Sequence, residues 1–280
     1  MRASRGIAGL LPALALGTAV VAGCGSGSAA ATAGTGGAEP LRPPRPVAIE
    51  YRPGEAWRYD YLRADTLITT LPNGGLQQQV VERQLQLHWQ VSASPEGLVL
   101  AVTIDSARVI GLPGDMGRLM ADSARGSVIR ARLQPSGALT LLDPAPVNAV
   151  ARTFATNLPW IVPMMPPGAR EGTSWVDTLA TTVQFAVVDL AERTERTTTG
   201  ELRGDGSALT LSGTVSRDGV TPQLRIEGTG ARWGEAVVGP GGRLRSVAGR
   251  DSVAMVASVE SIGQRVKILQ VGGYALTPVP

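Results

Sequence analysis

The sequence holds one cysteine, one histidine and one lysine in 280 residues. Cys24 lies near the N-terminus, so nothing after it can form a disulfide or a thiolate metal site. His88 would have to serve any Ser–His–Asp arrangement, and no G-x-S-x-G elbow supplies the serine. A zinc site would need carboxylates in place of the common His and Cys ligands. No Walker loop or dinucleotide fingerprint occurs, and "GPGGRLRS", from Gly239, precedes a strand pattern rather than a helix. The formal charge is +3, and loss of Arg2 and Arg5 would take it to +1. That leaves no basic field for nucleic acid. Aromatics are only 4% of the chain. The longest apolar run, Ile7 to Ala22, is sixteen residues and contains Pro12 and Gly17. A membrane-spanning helix needs about 20.

Three carboxylate pairs remain for acid–base chemistry: Asp60 with Asp65, Asp115 with Asp122, and Glu192 with Glu195. A glycosidase needs two carboxylates about 5–10 Å apart across a cleft, and no apolar pocket is evident beside any of these pairs. The sequence therefore reads as non-catalytic, with no cofactor and no metal.

What is present at the N-terminus is a processing signal. Arg2 and Arg5 precede the short apolar run, which ends in small residues, as in a secretory signal peptide. The run closes on "VAGC", Val21 to Cys24. These residues resemble the lipobox of bacterial lipoproteins. The resemblance covers 1–24 and implies cleavage after residue 23 and diacylglycerol and palmitate on Cys24. Each buried methylene then adds about 0.8 kcal/mol, and two or three chains anchor stably. Gly25 stands where an Asp retains enterobacterial lipoproteins at the inner membrane, which favours the outer membrane, facing the periplasm. Residues 24–46 are Gly, Ser, Ala, Thr and Pro with almost no large apolar side chain. Such a segment cannot bury enough surface to order itself and reads as a tether.

The rest alternates. In "RQLQLHWQV", Leu85, Leu87, Trp89 and Val91 share one face and Gln84, Gln86, His88 and Gln90 the other, the period of a half-buried strand. Similar runs follow, separated by "SPEG", "NGG", "PSG", "GDG", "RDG" and "GPGG", glycine turns of the kind that join antiparallel strands. "AERTERTTTGELR", Ala191 to Arg203, reads as an exposed, charge-protected edge or hairpin. Two phrases recur in order. "RPGEAW" (Arg52 to Trp57) matches "REGTSW" (Arg170 to Trp175), and "PSGALT" from Pro135 matches "GPGGRLR" around Pro240. They suggest two related β units, 47–143 and 168–280.

Between the units, residues 144–167 predict one helix and a proline-rich loop. Asp143 can cap the helix and Pro144 suits its first position. Val147, Val150, Ala151, Phe154 and Leu158 fall on one face. "LPWIVPMMPP", Leu158 to Pro167, is either a packed crossover or a lid for an apolar ligand, for which Trp160, Met164 and Met165 are suited.

The expected fold is all-β: a curved antiparallel meander or half-barrel of ten to twelve strands, with the helix on its concave face or plugging its end. This architecture is similar to the half-barrel of the lipoprotein-localisation and mycobacterial lipid-carrier families, and no residue motif of theirs is carried over. The resemblance implies a lipid or apolar ligand on the concave face, with Val147, Val150, Phe154, Leu158, Trp160, Met164 and Met165 as candidate contacts. The alternative is an interaction module that meets another envelope protein, in one sheet or two lobes. A carrier needs an unfilled apolar cavity, whereas a module fills the space with its own side chains.

Cys24→Ser is expected to abolish palmitate labelling and leave the precursor unprocessed. Label retained in the variant would show that another group is acylated.

Overall fold

A computed structural model describes residues 46–279, apart from 48, 135–136, 143–145, 147, 186–187, 204–205, 260 and 262. Cys24, the tether, Asp143, Pro144 and Val147 lie outside the described residues. Eleven antiparallel strands form one sheet. The chain starts in its middle with β1 (Ala56–Thr70) and meanders outward through β2 (Leu76–Ser94), β3 (Gly97–Ile110), β4 (Val128–Leu133) and β5 (Leu139–Leu141). It crosses to the opposite edge and meanders inward through β6 (Ser174–Phe185), β7 (Val188–Arg203), β8 (Gly206–Val220), β9 (Arg225–Val238), β10 (Leu244–Val259) and β11 (Gln264–Pro278). β11 then pairs with β1, from Tyr59 opposite Pro278 to Thr70 opposite Lys267.

Two helices interrupt the meander: α1 (Met116–Ala124), between β3 and β4, and α2 (Ala149–Ile161), which spans the crossover. α1 is an addition to the single helix expected. It is short, flanked by glycine and carries few large apolar residues, so its period is faint in sequence. Among the described residues no helix is long and apolar enough to cross a membrane.

The sheet curls into a half-barrel. Laid flat, eleven strands would hold the edges about 48 Å apart. α2 is only about 20 Å long, yet it packs against both edge strands, β5 and β6. Register shifts beside Gln86 and Leu244 add local twist. The edge strand β5 has only three residues, which limits pairing with other chains.

α2 begins later and ends later than its sequence pattern predicts. Its cap is Asn148, whose Oδ1 accepts from the backbone N–H of Val150 (2.8 Å) and Ala151 (3.1 Å). The Asn148 amide also donates to Met120 O and Ser123 Oγ, which ties the cap to α1. At the other end, Pro159 sits in the last turn rather than in the loop. Arg196 Nη1 donates to Pro159 O (2.7 Å) and Trp160 O (3.4 Å). A cation there satisfies carbonyls that the helix leaves unpaired and complements its dipole.

Two further expectations are corrected. "RDG" (217–219) is no turn: it runs within β8, and the reversal falls at Thr221–Leu224. "AERTERTTTGELR" is no exposed edge: β7 lies between β6 and β8, with Glu192, Thr194, Arg196 and Thr198 buried.

One end of the half-barrel is sealed. Val47 N–H donates to Ala169 O and Glu50 N–H to Gly242 O, so the entering chain crosses this end before β1 starts. The proline-rich loop lies here too. Trp175 Nε1 donates to Met164 O (2.8 Å), and a Cβ on Gly137 would meet the Met165 backbone at 2.3 Å. Beneath α2 the concave face is filled. Phe154 is 1% exposed and meets Tyr61 edge-on with ring centroids 5.0 Å apart. Val150, Leu158 and Ile161 pack in the same cluster with Leu85, Leu87, Trp89 and Ile104. Phe154→Ala should destabilise the fold by about 3–5 kcal/mol, read as a lower urea midpoint with an unchanged m-value.

Candidate functional site

Following each strand from its apolar residues in steps of two leads to charge. In β1, Tyr59 and Tyr61 are followed on the same face by Arg63 and Asp65, then Leu67. In β2, Leu85 is preceded by Arg83. In β7, Val188 and Leu190 lead to Glu192, Thr194 and Arg196. β8 adds Arg217 after Val215, β9 adds Arg232 and β10 adds Asp251 before Val253. Pairing brings these positions together, with Arg63 opposite Arg83, Arg232 opposite Asp251 and Glu192 opposite Arg217. An ionic belt thus runs across the concave face. It separates the cluster beneath α2 from a second apolar cluster built on Leu190, Val215, Ile226, Val253, Met255 and Ile268.

Arg63, 3% exposed, lies at the centre of the belt. Its Nε and Nη2 donate to Asp65 Oδ2 (3.0 Å) and Oδ1 (2.7 Å), Nη2 also reaches Asp251 Oδ2 (3.1 Å), and Nη1 reaches Asn157 Oδ1 on α2 (3.3 Å). Arg83 Nη1 donates to Asp65 Oδ2 at 2.6 Å. On the other flank Glu192 accepts from Arg217 Nε (2.8 Å) and Arg232 Nη2 (3.4 Å). Gln270 joins the flanks: its Oε1 accepts from Arg217 Nη1 (2.7 Å) and its Nε2 donates to Asp65 Oδ1 (3.4 Å). A Cβ on Gly272 would lie 2.4 Å from Asp251 Oδ1 and 2.9 Å from Arg63 Nη2, so glycine there makes room for the charges. Trp160 forms the boundary with the core. Its Nε1 donates to Tyr274 Oη, and the guanidinium carbons of Arg196 and Arg232 lie 5.6 and 5.2 Å from its ring centre.

Burial alone would raise the carboxyl of Asp65. The guanidiniums of Arg63 and Arg83 and the Gln270 amide outweigh burial and hold it below its ordinary value of 3.8. Burial alone would lower Arg63, but Asp251 and Asp65 hold it well above its ordinary value.

Beyond the belt, at the end opposite the sealed one, the half-barrel opens into a cavity of about 570 Å³. Its floor includes Arg63, Asp65, Arg83, Arg217 and Arg232, and its roof is the Arg152, Thr153, Thr156 and Asn157 face of α2. Leu67, Val81, Val183, Phe185 and Ile268 supply apolar walls.

The candidate contacts fall elsewhere. Val150, Phe154, Leu158 and Trp160 are buried in the cluster beneath α2, and Met164 and Met165 lie half-buried at the sealed end. The proline-rich loop is a packed crossover in this arrangement. The carboxylate pairs do not assemble either. Asp60 is exposed on the opposite face from Asp65, Asp115 and Asp122 both face Arg118 at 3.6 Å, and Glu195 is exposed while Glu192 is buried. His88 is half-buried on the outer face. Among the described residues no group of three or more His, Cys, Asp or Glu side chains could hold a metal ion. No known family matches the chain, and no curated protein matches it in sequence.

Asp65→Asn should lower stability at neutral pH by about 3–5 kcal/mol, because it strips a buried charge from its partners. A depressed carboxyl contributes stability that is complete above its unfolded value, near 3.8, and is lost as pH falls through the folded value. The stability of the unaltered protein should therefore fall with pH below about 4, and the variant should lose less over that interval. Denaturant midpoints measured from pH 7 to pH 2 give both results.

Proposed function

We propose that this is a non-catalytic lipoprotein of the bacterial envelope, anchored by acylated Cys24, that binds a hydrophobic ligand on the concave face of its half-barrel. The observation that carries the reading is the open cavity of about 570 Å³. Its size falls within the roughly 300–1,000 Å³ of small-molecule sites. It lies between a curved sheet and a helix roof, and it has apolar walls around polar groups that would fix a ligand's orientation. The ligand enters at the open end and meets the polar face of α2, so the contacts move from Phe154 and Trp160 to Thr153, Thr156 and the strand walls. A non-catalytic role is supported by the acids of the belt, each of which is held by one or more guanidiniums. Gly25 favours an outer-membrane site facing the periplasm.

One observation favours the second reading, an interaction module with no small ligand: the tier beneath α2 is filled by the protein's own side chains.

Native mass spectrometry of the protein extracted from membranes separates the two. A stoichiometric extra mass, lost on denaturation and of lipid size, is expected. Thr153→Trp, which fills the cavity from its roof, should reduce it. An apo mass across repeated preparations would favour the module.

A further inference from the structure

The belt is unevenly neutralised, and the imbalance faces the cavity. Among the described residues, four guanidiniums (Arg63, Arg83, Arg217, Arg232) meet three carboxylates (Asp65, Asp251, Glu192) on the floor. All three carboxylates are already shared. Asp65 serves Arg63 and Arg83, Asp251 serves Arg63 and Arg232, and Glu192 serves Arg217 and Arg232. On the roof, among the described residues, Arg152 bonds neutral oxygens, Pro146 O (3.0 Å) and Gln184 Oε1 (3.0 Å).

The arginines also differ in how fully their donors are used. Arg196, away from the cavity, places Nε, Nη1 and Nη2 on Asp177 and the α2 carbonyls. Arg63 likewise uses all three nitrogens. Arg83 and Arg232 do not: the Nε of each is buried with no hydrogen-bond partner. Arg232 is 4% exposed, its Nε lies 3.7 Å from Asp251 Oδ2, and its one hydrogen bond to Glu192 is long at 3.4 Å. A buried donor without an acceptor carries the full cost of its lost hydration, and a charged one carries more. Each Nε is itself sealed from the cavity, so what an entering ligand meets is the lining as a whole, which among the described residues carries five guanidiniums (Arg63, Arg83, Arg152, Arg217, Arg232) and one carboxylate, Asp65.

We infer that the cavity takes an amphiphile with an anionic end, a carboxylate or phosphate seated against Arg83, Arg232 and Arg152, with its apolar part along Leu67, Val81, Phe185 and Ile268. This rests on the ligand-binding reading above and names the ligand class. An anionic oxygen makes stronger hydrogen bonds to guanidinium than a neutral one, and in a partly enclosed site the excess positive charge is poorly screened. A small inorganic anion would leave the apolar walls uncovered, and a neutral lipid would leave the excess positive charge of the lining without a counter-charge.

The test measures equilibrium binding of oleate, 1-oleoyl-lysophosphatidate, 1-oleoylglycerol and inorganic phosphate to the mature acylated protein in non-ionic detergent. Arg83→Gln and Arg152→Gln are the variants, since Asp65 keeps Arg63 without Arg83, and Arg152 holds no carboxylate among the described residues. At least one anionic lipid should bind about tenfold or more tighter than 1-oleoylglycerol. Each variant should weaken that lipid by a similar factor and leave 1-oleoylglycerol unchanged. Equal binding of charged and uncharged lipids would overturn the anionic end while leaving the ligand-binding reading intact. Phosphate binding as tight as lysophosphatidate would overturn the amphiphile. Binding of none of the four would sink the ligand-binding reading together with this inference.

Discussion

The salt bridge of Arg63 with Asp65, closed from behind by Asp251, is the constraint around which the concave face is arranged. A guanidinium at 3% exposure is costly to bury, and the donors of Arg63 are satisfied on all three nitrogens. Satisfying them requires β1, β10 and α2 to stand in one register relative to one another, because the acceptors come from all three. The pairing of β1 with β11 and of β11 with β10 brings Asp65 and Asp251 both opposite Gly272, whose missing side chain leaves the space they occupy. A slip of β1 by one residue would turn Arg63 and Asp65 together to the outer face and strip buried Asp251 of its nearest guanidinium. The belt thus adds register specificity to the apolar alternation of the sheet.

The same belt divides the molecule into a packed half and an open half. On the sealed side, the entering chain, the proline-rich crossover and the apolar face of α2 fill the curl. On the other side part of the sheet packs as the second apolar cluster, and α2 turns threonines, Arg152 and Asn157 toward the space that remains. The helix is therefore core on one face and ceiling on the other. Arg196 holds its C-terminus through Pro159 and Trp160 carbonyls, and Asn148 holds its N-terminus through Val150 and Ala151. Both fastenings fix the height of the ceiling above the cationic floor.

Much of the fold was legible from alternation. Trp89, Leu87 and Leu85 on one face of β2 and glutamines on the other are a period-2 pattern that nothing else imitates, and a sheet of antiparallel strands follows from repeating it. The helix beneath which the core packs was also visible, with Val150, Phe154 and Leu158 on one face. Its ends were not, because Asn148 is a cap only by virtue of its reach to two backbone amides, and the C-terminal turn runs through Pro159 to carbonyls that Arg196 holds from another strand. The cavity contacts were sought on the apolar face of α2, the face most able to bury itself. The belt was legible in principle: the parity of Leu190 carries inward to Glu192 and Arg196, as that of Tyr61 carries to Arg63. It was masked in β7, where both phases of "AERTERT" are polar and the outer charges look the same as the inner ones.

The sequence by itself determined the strand class, the turns at "NGG", "SPEG" and "GPGG", and the placement of the crossover helix. These depend on local periodicity and short motifs, which are properties of neighbouring residues. Only the tertiary structure decided which charges are buried, that Arg63, Asp251 and Glu192 belong to one network, and that the space lies on the polar side of α2. Those facts depend on residues as far apart in the chain as Arg63 and Asp251 being brought to 3.1 Å. The pairing of β1 and β10 with β11 sets that distance, and no local pattern encodes it.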